Sequence, residues 1–86
     1  MRVLIPPPLH SYTNGRSVVA GRGATLSELL DALDDDFPGI RFRVIDEQDR
    51  IRPHIRFFVN AKLAASVGQQ VAPADQVQII CALSGG

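Results

Sequence analysis

The chain has 86 residues, enough for one domain whose simple core buries roughly 60–65% of the unfolded surface. Its 9 basic and 9 acidic residues cancel, which removes the long-range field that binders of nucleic acid or anionic membranes use, so neither partner is expected. One cysteine cannot form an internal disulfide, and the apolar run Val3-Leu4-Ile5 meets Pro6 too soon to act as a signal or membrane segment; a reducing cytoplasm is the expected setting.

Met1 to Ile5 reads as a short strand, and Pro6-Pro7-Pro8 ends it because proline has no amide to give a ladder. The triplet is expected to be a stiff, extended connector, with Leu9 and Tyr12 folding back over the core. Thr13-Asn14-Gly15 is a turn signal, and Arg16 to Ala20 supplies a second strand that completes a hairpin. Gly21-Arg22-Gly23 lacks the later glycine of a dinucleotide fingerprint and is followed by no Gly-Lys-Ser/Thr. It reads as a flexible approach to a helix.

Thr25 and Glu28 have the spacing of a capping box, and Leu26, Leu29, Leu30 and Leu33 then form one apolar stripe at helical spacing. The helix is expected over about Leu26–Asp35, before Pro38-Gly39 forbids continuation. Asp34-Asp35-Asp36 at its end reads as a solvated acidic corner, since a metal site would need further ligands at defined spacing. Ile40 to Ile45 alternates like a strand, yet Pro38-Gly39 could equally open a short helical turn, and both readings stand. Asp46 to Asp49 is polar loop. Ile55 to Val59 is a strand closed by Asn60, which tolerates the left-handed conformation, and Lys62 to Ala65 returns antiparallel. Gly68 opens another loop and Pro73-Ala74-Asp75 turns into the last strand.

Catalytic constellations are absent from the sequence. His10 and His54 are isolated, Cys81 lies in the most apolar strand with no base adjacent in sequence, and no metal-ligand spacing occurs. No catalytic residue, bound cofactor or metal is expected, and the chain is not read as an enzyme. Arg41, Arg43, Arg50, Arg52 and Arg56 are interleaved with Asp46, Glu47 and Asp49, the pattern of a mixed-charge surface or docking face.

The last ten residues organise the rest. Val77-Gln78-Ile79-Ile80-Cys81 is a β-branched run that passes without a turn into Ala82-Leu83-Ser84-Gly85-Gly86. Residues 1–82 are therefore expected to form the domain and 83–86 a projecting tail. Strand alternation directs Val3, Ile5, Phe57, Val59, Val77, Ile79 and Cys81 toward the helix and leaves Leu4, Phe58 and Ile80 as an apolar patch on the opposite face. Such a patch marks a partner site.

The order strand, strand, helix, strand pieces, final strand matches an α+β β-grasp, a mixed sheet wrapped on one main helix. The chain resembles the ubiquitin-like sulfur-carrier proteins, the superfamily of the small subunit of molybdopterin synthase and the thiamine-pathway carrier. Within it, the chain is most similar to the carriers of cysteine biosynthesis. The resemblance rests on Ile5-Pro6 with Leu9 and Thr13, Phe37-Pro38-Gly39-Ile40, Phe58-Val59-Asn60, Asp75-x-Val77-x-Ile79 and the terminal Gly85-Gly86. Cys81, where the family often has proline, and Leu83-Ser84, where it often has a pair such as Val-Ala, depart from the pattern.

The resemblance implies that an ubiquitin-activating-like adenylyltransferase uses ATP to adenylate the Gly86 carboxylate. A sulfur donor then converts the adenylate to a thiocarboxylate that serves a sulfur-accepting biosynthetic enzyme. It further implies that Leu83, Ser84 and Gly85 are read by partners, that the sheet face extends to Leu63 as the docking patch, and that a C-terminal-processing metalloprotease is a possible partner. The same end would also suit a molybdopterin-synthase small subunit or a protein modifier that joins Gly86 to lysines.

Overall fold

The computed structural model describes residues 1–82. In chain order these form β1 (Arg2–Leu4), a 3-10 helix (Pro7–Tyr12), β2 (Val18–Ala20), α1 (Leu26–Asp36), α2 (Ile40–Val44), β3 (Ile55–Val59), β4 (Lys62–Leu63) and β5 (Gln76–Cys81). The strands make one sheet in the order β2-β1-β5-β3-β4. β1 runs antiparallel to β2 and parallel to β5, and β3 runs antiparallel to both β5 and β4. This mixed sheet with its helix is the expected β-grasp.

Alternation within the strands decides what the sheet buries. Val3, Ile55, Phe57, Val77 and Ile79 point to one face and are almost wholly buried there with Leu26, Leu29, Leu30 and Leu33 of α1. Each of these side chains contributes roughly 1.5–3 kcal/mol by leaving water. Helix α1 starts where its cap does: Thr25 Oγ1 accepts from the Glu28 amide at 3.2 Å. Glu28 reaches back to the amide of Ala24 at 3.0 Å, one residue before the position a capping box specifies. The other free amides of the first turn are met by a distant loop, Leu26 donating to the Gln69 carbonyl at 3.0 Å and Ser27 to that of Val67 at 2.9 Å.

Three local expectations change. The proline triplet does not stay extended: Pro6 does, at φ −71° and ψ 152°, but Pro7 and Pro8 open a 3-10 helix. The ring-fixed φ suits a first helical turn, whose amides need no partner. Gly21 and Gly23 do more than lead into the helix, for a Cβ fits at neither. A Cβ at Gly21 would lie 2.3 Å from Leu29 Cδ1, and Gly23 holds φ +140° with a Cβ position 2.7 Å from the Leu29 backbone nitrogen. The acidic corner is partly structural, because Asp34 Oδ1 accepts from the amides of Gly39 and Arg41 at 3.0 and 3.1 Å.

That carboxylate settles Ile40–Ile45 as helix over Ile40–Val44. Gly39, at φ +98°, cannot supply a side-chain cap, and Asp34 satisfies the first amides in its place. Ile40 and Val44 are buried one turn apart, while Phe42 between them is 56% exposed. Arg41 lies 2.8 Å from Asp31 and 2.6 Å from Asp49, joining α1, α2 and the following loop. In that loop Asp46 accepts from the amides of Gln48 and Arg50. The Arg50 amide above all, with that of Gln48, holds its carboxyl below the usual carboxylate range. The resulting contribution to stability is present above about pH 4 and is lost as pH falls through the lowered value.

Candidate functional site

The strand that leads to the diglycine end lies in the middle of the sheet. Gln76–Gln78 pair with Arg2–Leu4 on one side, and Val77–Cys81 pair with Val59–Ile55 on the other. Ala82 is still tied to the body, its amide donating to the His54 carbonyl at 2.7 Å. The start of the strand is locked as firmly. Asn60, left-handed at φ 49°, donates Nδ2–H to Asp75 at 2.8 Å and accepts from the Gln76 amide at 2.9 Å. Asp75 in turn accepts from the Ala72 amide at 2.8 Å. The family-like Asn60 and Asp75 thus act as one clamp on the entry to β5. The expected tail-recognition residues Leu83, Ser84 and Gly85, and the expected sulfur-carrying Gly86, lie outside the described residues.

On the outward face of the sheet the pairing registers align one residue from every strand. The row reads Val18, Leu4, Gln78, Phe58, Leu63 from edge to edge. Ile80 lies one outward step along β5, beside Arg56 of β3, and Arg2 lies one step the other way on β1. All four residues expected in the patch, Leu4, Phe58, Leu63 and Ile80, therefore share one face. Leu63 and Val18 are 60% and 39% exposed at the two edges, while Leu4, Phe58 and Ile80 are half-buried against their sheet neighbours. Two features were not visible in the alternation: Gln78 divides Leu4 from Phe58, and Val18 extends the patch to the far edge. Both follow from strand order and register, which a single sequence does not carry.

In the family comparison, the model described as the ThiS family matches residues 3–86. The chain belongs to the ThiS family. It is 28% identical over 89 residues to the sulfur carrier protein CysO of Mycobacterium tuberculosis, with 98% of this chain and 96% of that protein covered. Among solved structures it is similar to the Amycolatopsis orientalis BexX/CysO complex, with a TM-score of 0.91 at 28% identity over 99% of this chain and 98% of that one. It is also similar to the small archaeal modifier protein 1 of H. volcanii, with a TM-score of 0.76 at 25% identity over 96% and 97% of the two chains.

In this ThiS-family chain the remaining singled-out residues have plain positions. His10 Nε2 lies 2.9 Å from the Ile5 carbonyl; since a carbonyl only accepts, that nitrogen donates and the ring closes the 3-10 helix onto the residue that follows β1. Cys81 is on the inward phase, paired with Ile55, but only half-buried at the end of the sheet. Its surroundings differ from those of its sequence neighbours, because Arg43, Arg52 and His54 line the same groove. Among the described residues no three of His, Cys, Asp and Glu converge as a metal set would, and no helix is long and apolar enough to cross a membrane.

Proposed function

We propose that this chain is a sulfur carrier, activated as an acyl-adenylate at Gly86 and loaded there as a thiocarboxylate that supplies sulfur to a biosynthetic enzyme. The observation that carries the reading is the match of the ThiS family over residues 3–86, diglycine end included. The match to sulfur carrier proteins named CysO supports a role in cysteine biosynthesis. The chemistry suits the end: glycine has no Cβ, so nucleophiles approach its acyl carbon unhindered, and two glycines can lie extended in a narrow site that excludes water. In this reading the chain is a co-substrate, not an enzyme. It holds no cofactor, and ATP is consumed by an ubiquitin-activating-like adenylyltransferase in the cytoplasm. A C-terminal-processing metalloprotease is a further partner in this reading.

Incubation with the activating enzyme, ATP and a sulfide source is expected to exchange one oxygen for sulfur in the C-terminal peptide, read by intact-mass and peptide mass spectrometry. Cys81→Ala is expected to load as the parent does, with only a modest packing loss. Sulfur found on Cys81, or loading lost in the folded alanine variant, would overturn the thiocarboxylate assignment.

The outward sheet face is the proposed docking surface for that enzyme. Phe58→Ala and Ile80→Ala are each expected to weaken binding by roughly tenfold or more, as apolar anchors do. On a half-exposed sheet position the cost in stability is about 1 kcal/mol. Calorimetric titration and thermal melting separate the two effects, and a large fall in melting temperature with unchanged affinity would show that these side chains serve the fold alone.

A further inference from the structure

The arginines are not equivalent in their pairing. Arg22 meets Asp36, Arg41 meets Asp31 and Asp49, and Arg50 meets Asp46. Arg2, Arg16, Arg43, Arg52 and Arg56 meet no carboxylate at ion-pair distance among the described residues, and of these Arg43 and Arg52 lie together. Both line a groove of about 470 Å³ with Tyr12, Phe42, His54 and Cys81, and no Asp or Glu shares that lining. Cys81, on the inward phase of β5, borders this groove, whereas Ile80 beside it belongs to the outward apolar face.

Both guanidinium groups are already held in place. Arg43 donates its Nε–H to the Tyr12 hydroxyl and stands 5.6 Å from the centre of that ring. Arg52 donates its Nε–H to the Phe42 carbonyl at 2.8 Å and covers the Phe42 ring at 4.5 Å. Because each uses only Nε, the terminal nitrogens of both make no hydrogen bond among the described residues, and these are the atoms that grip a carboxylate in a fork. A cation fixed before binding loses little side-chain entropy when it binds. Phe42 adds a second, independent sign: it is a large aromatic left 56% exposed at the rim of the groove.

We propose that this groove binds an acidic peptide segment that also carries an aromatic or aliphatic side chain, contributed by the protein that grips the C-terminal end of this chain. Carboxylates would engage Arg43 and Arg52, and the apolar side chain would cover Phe42. A bare inorganic anion would satisfy the arginines and leave that ring in water. An extended polyanion such as nucleic acid would find no wider basic field, since 9 basic and 9 acidic residues balance over the chain. The proposal rests on the carrier reading only for the partner's interest in the tail; the chemistry of the groove is independent of it.

The test is a heteronuclear NMR titration of the full chain at low salt with the peptide Glu-Asp-Phe-Glu-Asp, beside its Gln/Asn counterpart and inorganic phosphate. The acidic peptide is expected to shift the amides of Tyr12, Phe42, Arg43, Arg52 and His54. Affinity is expected to fall by roughly tenfold or more in Arg43→Glu/Arg52→Glu and to stay unchanged in Arg16→Glu, as pairing at specific sites requires. The proposal is overturned by an equal response to phosphate, which marks a plain anion site, or by equal binding of the neutral peptide, which marks an apolar cleft. It is also overturned by shifts centred elsewhere, or by Arg16→Glu weakening binding as much as the double reversal. Circular dichroism melting confirms that the reversed variants are folded. Because the titration does not involve Gly86, its failure leaves sulfur loading untouched, and failure of loading leaves the groove untouched.

Discussion

A chain lacking Gly86 is expected to melt at the temperature of the parent and to support no measurable ATP–pyrophosphate exchange with the activating enzyme. The body keeps its pairing through Cys81 and its last described tie at Ala82, so removal of the final residue touches no described contact. The carboxylate, in contrast, is withdrawn by about 3.3 Å, the rise of one extended residue. A displacement of about 1 Å from reacting geometry can already cost roughly a hundredfold in rate, so one lost residue takes activation to background. Exchange persisting at a substantial fraction of the parent's rate would mean that the enzyme does not act on this carboxylate.

The largest expected effect on stability is that of Gly23→Ala. The backbone there stands at φ +140°, and a new Cβ would press to 2.7 Å on the Leu29 amide nitrogen and 2.9 Å on the Glu28 carbonyl carbon, atoms of α1 that cannot rotate away. Backbone strain of about 1–3 kcal/mol and overpacking of similar size add. A loss near 3 kcal/mol would lower the melting temperature by roughly 12–24 °C in a domain of this size. Gly15→Ala is the matched comparison: its φ is +81°, but nothing lies within 4 Å of the new Cβ, so only the conformational cost of about 1 kcal/mol applies. Equal losses in the two variants would show that the closeness of Gly23 to α1 is not what matters.

What the sequence disclosed follows from the range of the interactions involved. Thr25, Glu28 and the leucines at 26, 29, 30 and 33 interact within a turn or two, and the helix appeared where they put it. Ile40 to Ile45 resisted because apolar residues at 40, 42 and 44 serve a strand by alternation or a helix through 40 and 44. The choice was made by Asp34, whose carboxylate is folded against amides five and seven residues away. Gly21 and Gly23 looked like slack, since the side chains and backbone they admit belong to β1 and α1. The apolar face could be read from period-two alternation, while the place of Gln78 within it needed the strand order. The convergence of Arg43, Arg52 and His54 beside Cys81 needed the whole fold.

The parallel pairing of the first strand with the last also sets when the molecule can form. Arg2–Leu4 find their central neighbours only in Gln76–Gln78, more than seventy positions downstream, so during synthesis no shorter product can close the sheet. Loops of that length make folding slower than local topology would. A chain stopped before Gln76 lacks the strand that fills the middle of the sheet. The two ends of the described chain are thus joined at the centre of the sheet, and neither β1 nor β3 has its inner neighbour until β5 arrives.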